Sequence, residues 1–246
     1  MQPLLLGFLT PYSITLAISA AAGLGISVWL AQDRKRLYID VGIVILAVSL
    51  LGARAGYVIM NFGYFLNHPI QIPQFWLGGL TWPGSLTTAA AALWGASLVW
   101  KEPLGELADT FLPLLGTLVV AIWLTGWGAG IGYGPPTDAW FGIPVHDLFG
   151  VKDFRWPLPI LGGLISGGWI AGMILFPLKK SRKPGFRAGL GLFGIVLING
   201  VISLFRVNPA PILWGLRWET WISLVIVGLL VGFYFQRRKT TGIKES

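Results

Sequence analysis

The sequence predicts an all-α, polytopic membrane protein of about seven transmembrane helices, with its N-terminus outside and its C-terminus in the cytoplasm. Three observations carry that prediction. Of the 246 residues, 54% are hydrophobic and only 11% charged, whereas a soluble domain carries roughly a quarter charged residues. Predominantly apolar runs close to the ~20 residues needed to cross the hydrocarbon recur seven times. Most basic residues then gather after the odd-numbered runs, as the positive-inside rule expects.

The runs lie at about 11–32, 40–62, 84–100, 106–126, 158–178, 187–206 and 214–236. The first has no basic n-region and no small-residue cleavage site, so it reads as a retained span. Arg34, Lys35 and Arg36 follow it, and Lys101 follows the third. Lys179, Lys180, Arg182, Lys183 and Arg187 follow the fifth, and Arg237, Arg238, Lys239 and Lys244 the seventh. Residues 1–236 thus read as one transmembrane domain and 237–246 as a short basic cytoplasmic tail. Most of the net charge of +8 is a topology signal, not a nucleic-acid footprint. No nucleic-acid partner is expected, and the protein is expected to be a monomer.

Five cations remain outside those clusters: Arg54, Lys152, Arg155, Arg206 and Arg217. Arg54 lies within the second span and Arg206 ends the sixth, positions where a charge is costly unless it faces a cavity, a partner or a lipid phosphate. Each is a functional candidate, or a structural clamp that snorkels or pairs. The outer loops 63–83 and 127–157 carry Trp76, Trp82, Trp127, Trp140 and Trp156, as an aromatic belt does. Gly52 with Gly56, Gly163 with Gly167 and Gly168 with Gly172 read as packing notches between helices.

Soluble-enzyme motifs are missing: no P-loop, nucleophile elbow, HExxH or dinucleotide fingerprint. There is no cysteine, and two histidines offer little for a metal, so neither metal nor cofactor is expected. His68 and His146 read as solvated loop residues. Glu106 and Asp109 suit the start of the fourth span. Arginines behind an apolar, Trp-rich mouth suit an amphiphilic anion such as a phospholipid, because a guanidinium binds phosphate bidentately and stays charged when desolvated.

Four stretches, in order, resemble the prolipoprotein diacylglyceryl transferase family. Gly52-Ala53-Arg54-Ala55-Gly56-Tyr57-Val58 is similar to its second-span Gly-x-Arg-x-Gly-Tyr-Val. Asn67-His68-Pro69 and Trp76 to Gly84 resemble the segment that includes Trp-x-Gly-Gly-Met-Ser-Phe-His-Gly. Gly126 to Gly134, with Pro136-Thr137-Asp138 downstream, resembles the glycine-rich signature. Phe205-Arg206 with Pro209 resembles Phe-Phe-Arg-x-Pro. The resemblance implies a transferase in the bacterial inner membrane that moves diacylglyceryl from phosphatidylglycerol to the lipobox cysteine thiol of a prolipoprotein, with glycerol phosphate leaving. It implies Arg206 as the catalytic residue. Arg54, Arg206, Arg155, Gly126, Tyr133 and Gly134 would bind phosphatidylglycerol or another anionic phospholipid, and the lipobox peptide would be the second partner.

The chain departs from the pattern at several positions. The family's histidine falls on Pro83, its signature arginine on Trp127, its signature asparagines on Gly130 and Tyr133, a following glutamate on Pro135 and a first-span tyrosine on Ala17. The alternative reading is therefore a catalytically degenerate relative that binds phospholipid or a lipidated partner without turnover. A small transporter is disfavoured by the lack of internal acids and of paired broken helices.

Overall fold

The computed structural model describes residues 11–31, 34–146, 150–175 and 184–242, with residue 77 and residues 233–242 described by backbone alone. The described chain is mostly helical: α1 (Pro11–Leu30), α2 (Lys35–Met60), α3 (Phe62–Asn67), α4 (Trp82–Trp100), α5 (Leu104–Thr110), α6 (Leu112–Gly128), α7 (Leu158–Leu175), α8 (Phe186–Ser203) and α9 (Trp218–Gly242). By length and composition α1, α2, α7 and α8 can cross a membrane, α5 and α6 together make a fifth, and Trp218–Gly232 is a shorter apolar helix. This is a multi-pass membrane protein. Two short antiparallel hairpins modify the all-α expectation: β1 (Ile143–His146) with β2 (Lys152–Arg155), and β3 (Ile212–Leu213) with β4 (Leu216–Arg217). The second turns through Trp214 and Gly215, both at positive φ, the pattern of a tight type I′ connection. The expected seventh span accordingly starts at Trp218 rather than at 214.

Two compact units divide the chain, residues 1–118 with 177–188 and residues 119–176 with 189–246. In the first, Val41, Ile45, Ala96, Leu107, Phe111 and Leu114 form the core. Helices α2 and α4 approach closely because Gly52, Gly56 and Gly84 line the contact. A Cβ at Gly84 would strike the Gly52 backbone, and one at Gly56 the Thr81 hydroxyl. Thr81 N–H and Oγ1 both donate to Ala53 O, at 3.0 and 3.2 Å. The Gly52/Gly56 pair is thus a packing notch, whereas Gly168 and Gly172 face open space.

The fourth apolar run is one span in the sequence and two helices in the structure, bent by 47°. Pro113 is the cause: it has no N–H to give Asp109 O, and its ring crowds that carbonyl, so Phe111 leaves helical geometry at φ −89°, ψ 9°. Asp109 does not serve its own helix N-terminus, as the sequence suggested. Its carboxylate accepts from Gly185 N–H (2.8 Å) and Ala188 N–H (2.7 Å), capping the start of α8.

In the second unit the core is Trp123, Leu158 and Ile202, with Val119, Trp156 and Ile198 packed against it. The last two helices are joined by polar contacts: Ser203 Oγ lies 2.6 Å from Thr220 Oγ1, and Asn199 Nδ2 donates to Ser223 Oγ at 3.2 Å. In lipid such bonds hold helices together where apolar packing has no solvent to exclude. Arg237, Arg238 and Lys239 lie in α9. Lys179, Lys180, Arg182, Lys183 and Lys244 fall outside the described residues.

Candidate functional site

Segment 134–137 runs along β2 on the side opposite β1. Gly134 N–H donates to Trp156 O (3.4 Å), Trp156 N–H to Pro135 O (3.1 Å), and Thr137 N–H to Phe154 O (2.9 Å). Side chains alternate along β2, with Lys152 and Phe154 outward and Asp153 and Arg155 turned in. The pleat therefore aims Arg155 at Tyr133, its guanidinium carbon 4.6 Å from the ring centroid, a cation–π geometry. Arg155 Nη2 is also 4.0 Å from Asp153 Oδ2. Tyr133 is buried, and its carbonyl accepts from Val207 N–H at 3.1 Å, which ties this sheet to the chain just past α8. Trp156 stacks on Phe205.

Those contacts set Arg206. Its side chain is 11% exposed. Nη1 donates to Glu219 Oε2 at 2.9 Å and Nε to Asn208 Oδ1 at 3.3 Å, while Trp123 lies 6.0 Å below the guanidinium carbon. Gly132, at φ +80°, lies against the open face, where an added Cβ would be 3.5 Å from Nε and 3.6 Å from Nη2. Only glycine combines that backbone with that clearance at low cost. Nη2 has no protein partner among the described residues. Burial lowers the Arg206 pKa from the usual guanidinium value. Glu219 opposes that shift, and Arg217 adds to it.

Of the residues proposed from sequence, Tyr133, Gly134, Arg155 and Arg206 are brought together in this unit. Gly126 is connected to them through its carbonyl, which accepts from Ile131 N–H at 2.8 Å and turns the chain off α6 toward Gly132. Gly134 is required by close approach, since a Cβ there would sit 2.7 Å from Trp156 Cβ. Glu219, Arg217, Asn208, Trp123 and Gly132 were not foreseen as site residues. Their signal was present in part: Arg217 was one of five cations outside the basic clusters that follow the odd-numbered runs, and Glu219 is an acid opening an apolar helix.

Arg54 belongs to the first unit, where backbone carbonyls take up most of its donors. Its Nε donates to Ile72 O (2.8 Å), its Nη1 to Gly78 O (2.8 Å) and Gly79 O (3.2 Å), and its Nη2 to Gln71 O. Tyr57 and Phe65 flank the guanidinium, with centroids at 5.7 and 5.3 Å. At most one of its five N–H groups is left for anything else. Arg54 is a clamp on the 71–79 loop. His68 stacks on Tyr64, with Nδ1 3.0 Å from Tyr64 O, and His146 ends β1 exposed. Pro83 occupies the first turn of α4, where the missing N–H costs no helical bond, and Trp127 lies 39% exposed near the end of α6. No cluster that could hold a metal occurs among the described residues.

The model of the prolipoprotein diacylglyceryl transferase family matches residues 6–236. This chain belongs to that family. The phosphatidylglycerol–prolipoprotein diacylglyceryl transferase of Hydrogenovibrio crunogenus is 26% identical over 192 residues, covering 75% of this chain and 71% of that one. The proteins of the same name from Brucella ovis and Brucella abortus are 28% identical over 206 residues, covering 72% of this chain. The match takes in 63% of their length, so this diacylglyceryl transferase family member spans less than two thirds of those relatives.

Proposed function

We propose that the protein transfers diacylglyceryl from phosphatidylglycerol to the lipobox cysteine of a prolipoprotein at the outer side of the bacterial inner membrane. The thiol sulfur forms the new bond to the glyceryl carbon as that carbon's bond to the phosphate oxygen breaks. Glycerol phosphate departs, and the thiol proton goes to water. The observation that carries the reading is Arg206: a guanidinium held on two sides, shielded below by Trp123, with Nη2 left over and glycine on the open face. Such a fixed donor suits the negative charge that develops on the departing phosphate. Arg155, on the Tyr133 ring, and the turn from Gly126 to Gly134 shape the head-group side. Arg54 contributes through the loop it clamps. In the same reading the chain crosses seven times, α4 and α9 included, with the N-terminus outside, the C-terminus inside and a single transmembrane domain.

The test is transfer from phosphatidylglycerol to a synthetic lipobox peptide by the full chain in detergent, with mass detection of the thioether. Arg206→Ala is expected to lower turnover by roughly 10²- to 10³-fold. A wild-type protein that leaves the peptide unmodified, where a Brucella relative reacts under the same conditions, refutes the activity. Pro83 and Trp127, neither able to act as a base or to neutralise phosphate, favour a second reading, a relative that binds phospholipid without turnover. Retained phosphatidylglycerol binding with no product is its expected result.

A further inference from the structure

Glu219 serves two arginines. Its Oε2 is 2.9 Å from Arg206 Nη1 and 3.6 Å from Arg217 Nε, and all three side chains are nearly buried, 11 to 13% exposed. One guanidinium on one carboxylate is a neutral pair with little pull on an anion. Two guanidiniums on one carboxylate leave one positive charge in excess. The remaining bonds of Arg217 do not cancel that charge. Its Nη1 donates to the carbonyls of Asn208 (2.6 Å) and Arg206 (3.4 Å), while Nε and Nη2 are buried with no hydrogen bond. Excess buried charge is costly until a counter-ion arrives.

We propose that Arg217 is a positioning residue for a phosphodiester anion bound at Arg206. By sharing Glu219 it keeps the cluster net positive, so that Arg206 Nη2, the donor without a protein partner among the described residues, is free to take a phosphate oxygen. Its two bonds to the 206–208 backbone fix that donor's direction. Trp127, the position of the family's signature arginine, carries no charge here, and Trp123 one turn earlier on α6 provides the apolar floor under Arg206. The second cation comes instead from β4. The transferase reading enters only in naming the anion as phosphatidylglycerol.

Equilibrium binding of a fluorescent phosphatidylglycerol to the full chain in detergent micelles tests this, with fluorescent diacylglycerol as the phosphate-free control and a thermal unfolding scan for each variant. Arg217→Gln is expected to weaken phosphatidylglycerol binding by roughly tenfold or more, with the diacylglycerol signal unmoved, and Arg217→Lys to restore most of it. Glu219→Gln discriminates further, and it tests the idea even if Arg217→Gln does not fold. Raising the excess charge from one to two leaves binding equal or tighter if the cluster is an anion site, and weakens it if the ion pairs are only a lock on the fold. The proposal is overturned if Arg217→Gln stays within about twofold of wild type. It is equally overturned if Glu219→Gln loses affinity as Arg217→Gln does, or if the wild type prefers phosphatidylglycerol no more than diacylglycerol. A wild type that binds phosphatidylglycerol but transfers nothing refutes the transferase reading and leaves this comparison intact.

Discussion

Replacing Arg54 by methionine keeps much of the side-chain volume and removes every donor that gathers the 71–79 loop. The residue is 8% exposed, and its guanidinium makes bonds to four backbone carbonyls and has no carboxylate partner among the described residues. A hydrogen bond to a charged group contributes about 1.5 to 3 kcal/mol net. Four of them would sum to more than the loop loses, because carbonyls that reach water once released recover a hydrogen bond. Counting two as rehydrated leaves about 3 to 6 kcal/mol. The loss is measured by denaturant unfolding of the full chain in detergent, alongside amide hydrogen exchange at Gly78, Gly79 and Thr81. Faster exchange should be confined to residues 71–81, since Thr81 N–H bonded to Ala53 O is the next tie along the chain. Arg54→Lys should recover less than half, because one ammonium cannot reach the carbonyls of 71–72 and of 78–79 at once. Stability within about 1 kcal/mol of wild type with unchanged exchange in Arg54→Met would refute the clamp.

Three further outcomes follow from the packing. Asp109→Ala removes both carboxylate bonds at the start of α8 and should cost about 1 to 2 kcal/mol, with faster exchange at Gly185 and Ala188; Asp109→Asn should keep about half. Gly84→Leu places a side chain into the Gly52 backbone and should prevent α2 and α4 from packing, which is scored as lost folded yield, whereas Gly95→Leu, where a Cβ meets nothing, should be neutral. Gly132→Ala, strained at φ +80° and set against the Arg206 guanidinium, should reduce phosphatidylglycerol binding more than it lowers the unfolding midpoint.

Hydrophobic runs made the long helices readable because length is a strong constraint in lipid: α1, α2, α4 and α8 begin and end within about five residues of the apolar stretches. The bend at Phe111 was concealed because Pro113 interrupts a helix without interrupting an apolar run. The second hairpin was concealed because β3 and β4 are two residues each, too short for alternation to register, and lie between apolar residues that a hydropathy window assigns to the next span. Arg206 was legible as a cation closing an apolar run, but its partners Glu219 and Asn208 were not. Arg54 was legible as a charge in the wrong place and as a candidate clamp, but its partners were not, since they are backbone carbonyls, which carry no sequence signal. Arg217 stood out among the five cations outside the basic clusters, but its pairing did not; the turn at Trp214-Gly215 precedes the stretch that brings Arg217 and Glu219 to the Arg206 guanidinium.

The bonds between Ser203 and Thr220 and between Asn199 and Ser223 fix how α9 is rotated as well as that it is attached. One inserted residue ahead of Thr220 would turn everything upstream on that helix by about 100° and swing Glu219 away from Arg206, while the apolar surface toward lipid would scarcely register the change. The chain is thus indifferent to length beyond Ser223 and intolerant of it between Asn208 and Thr220. The last helix can be lengthened or trimmed to suit a thicker or thinner bilayer, provided every insertion falls beyond Ser223.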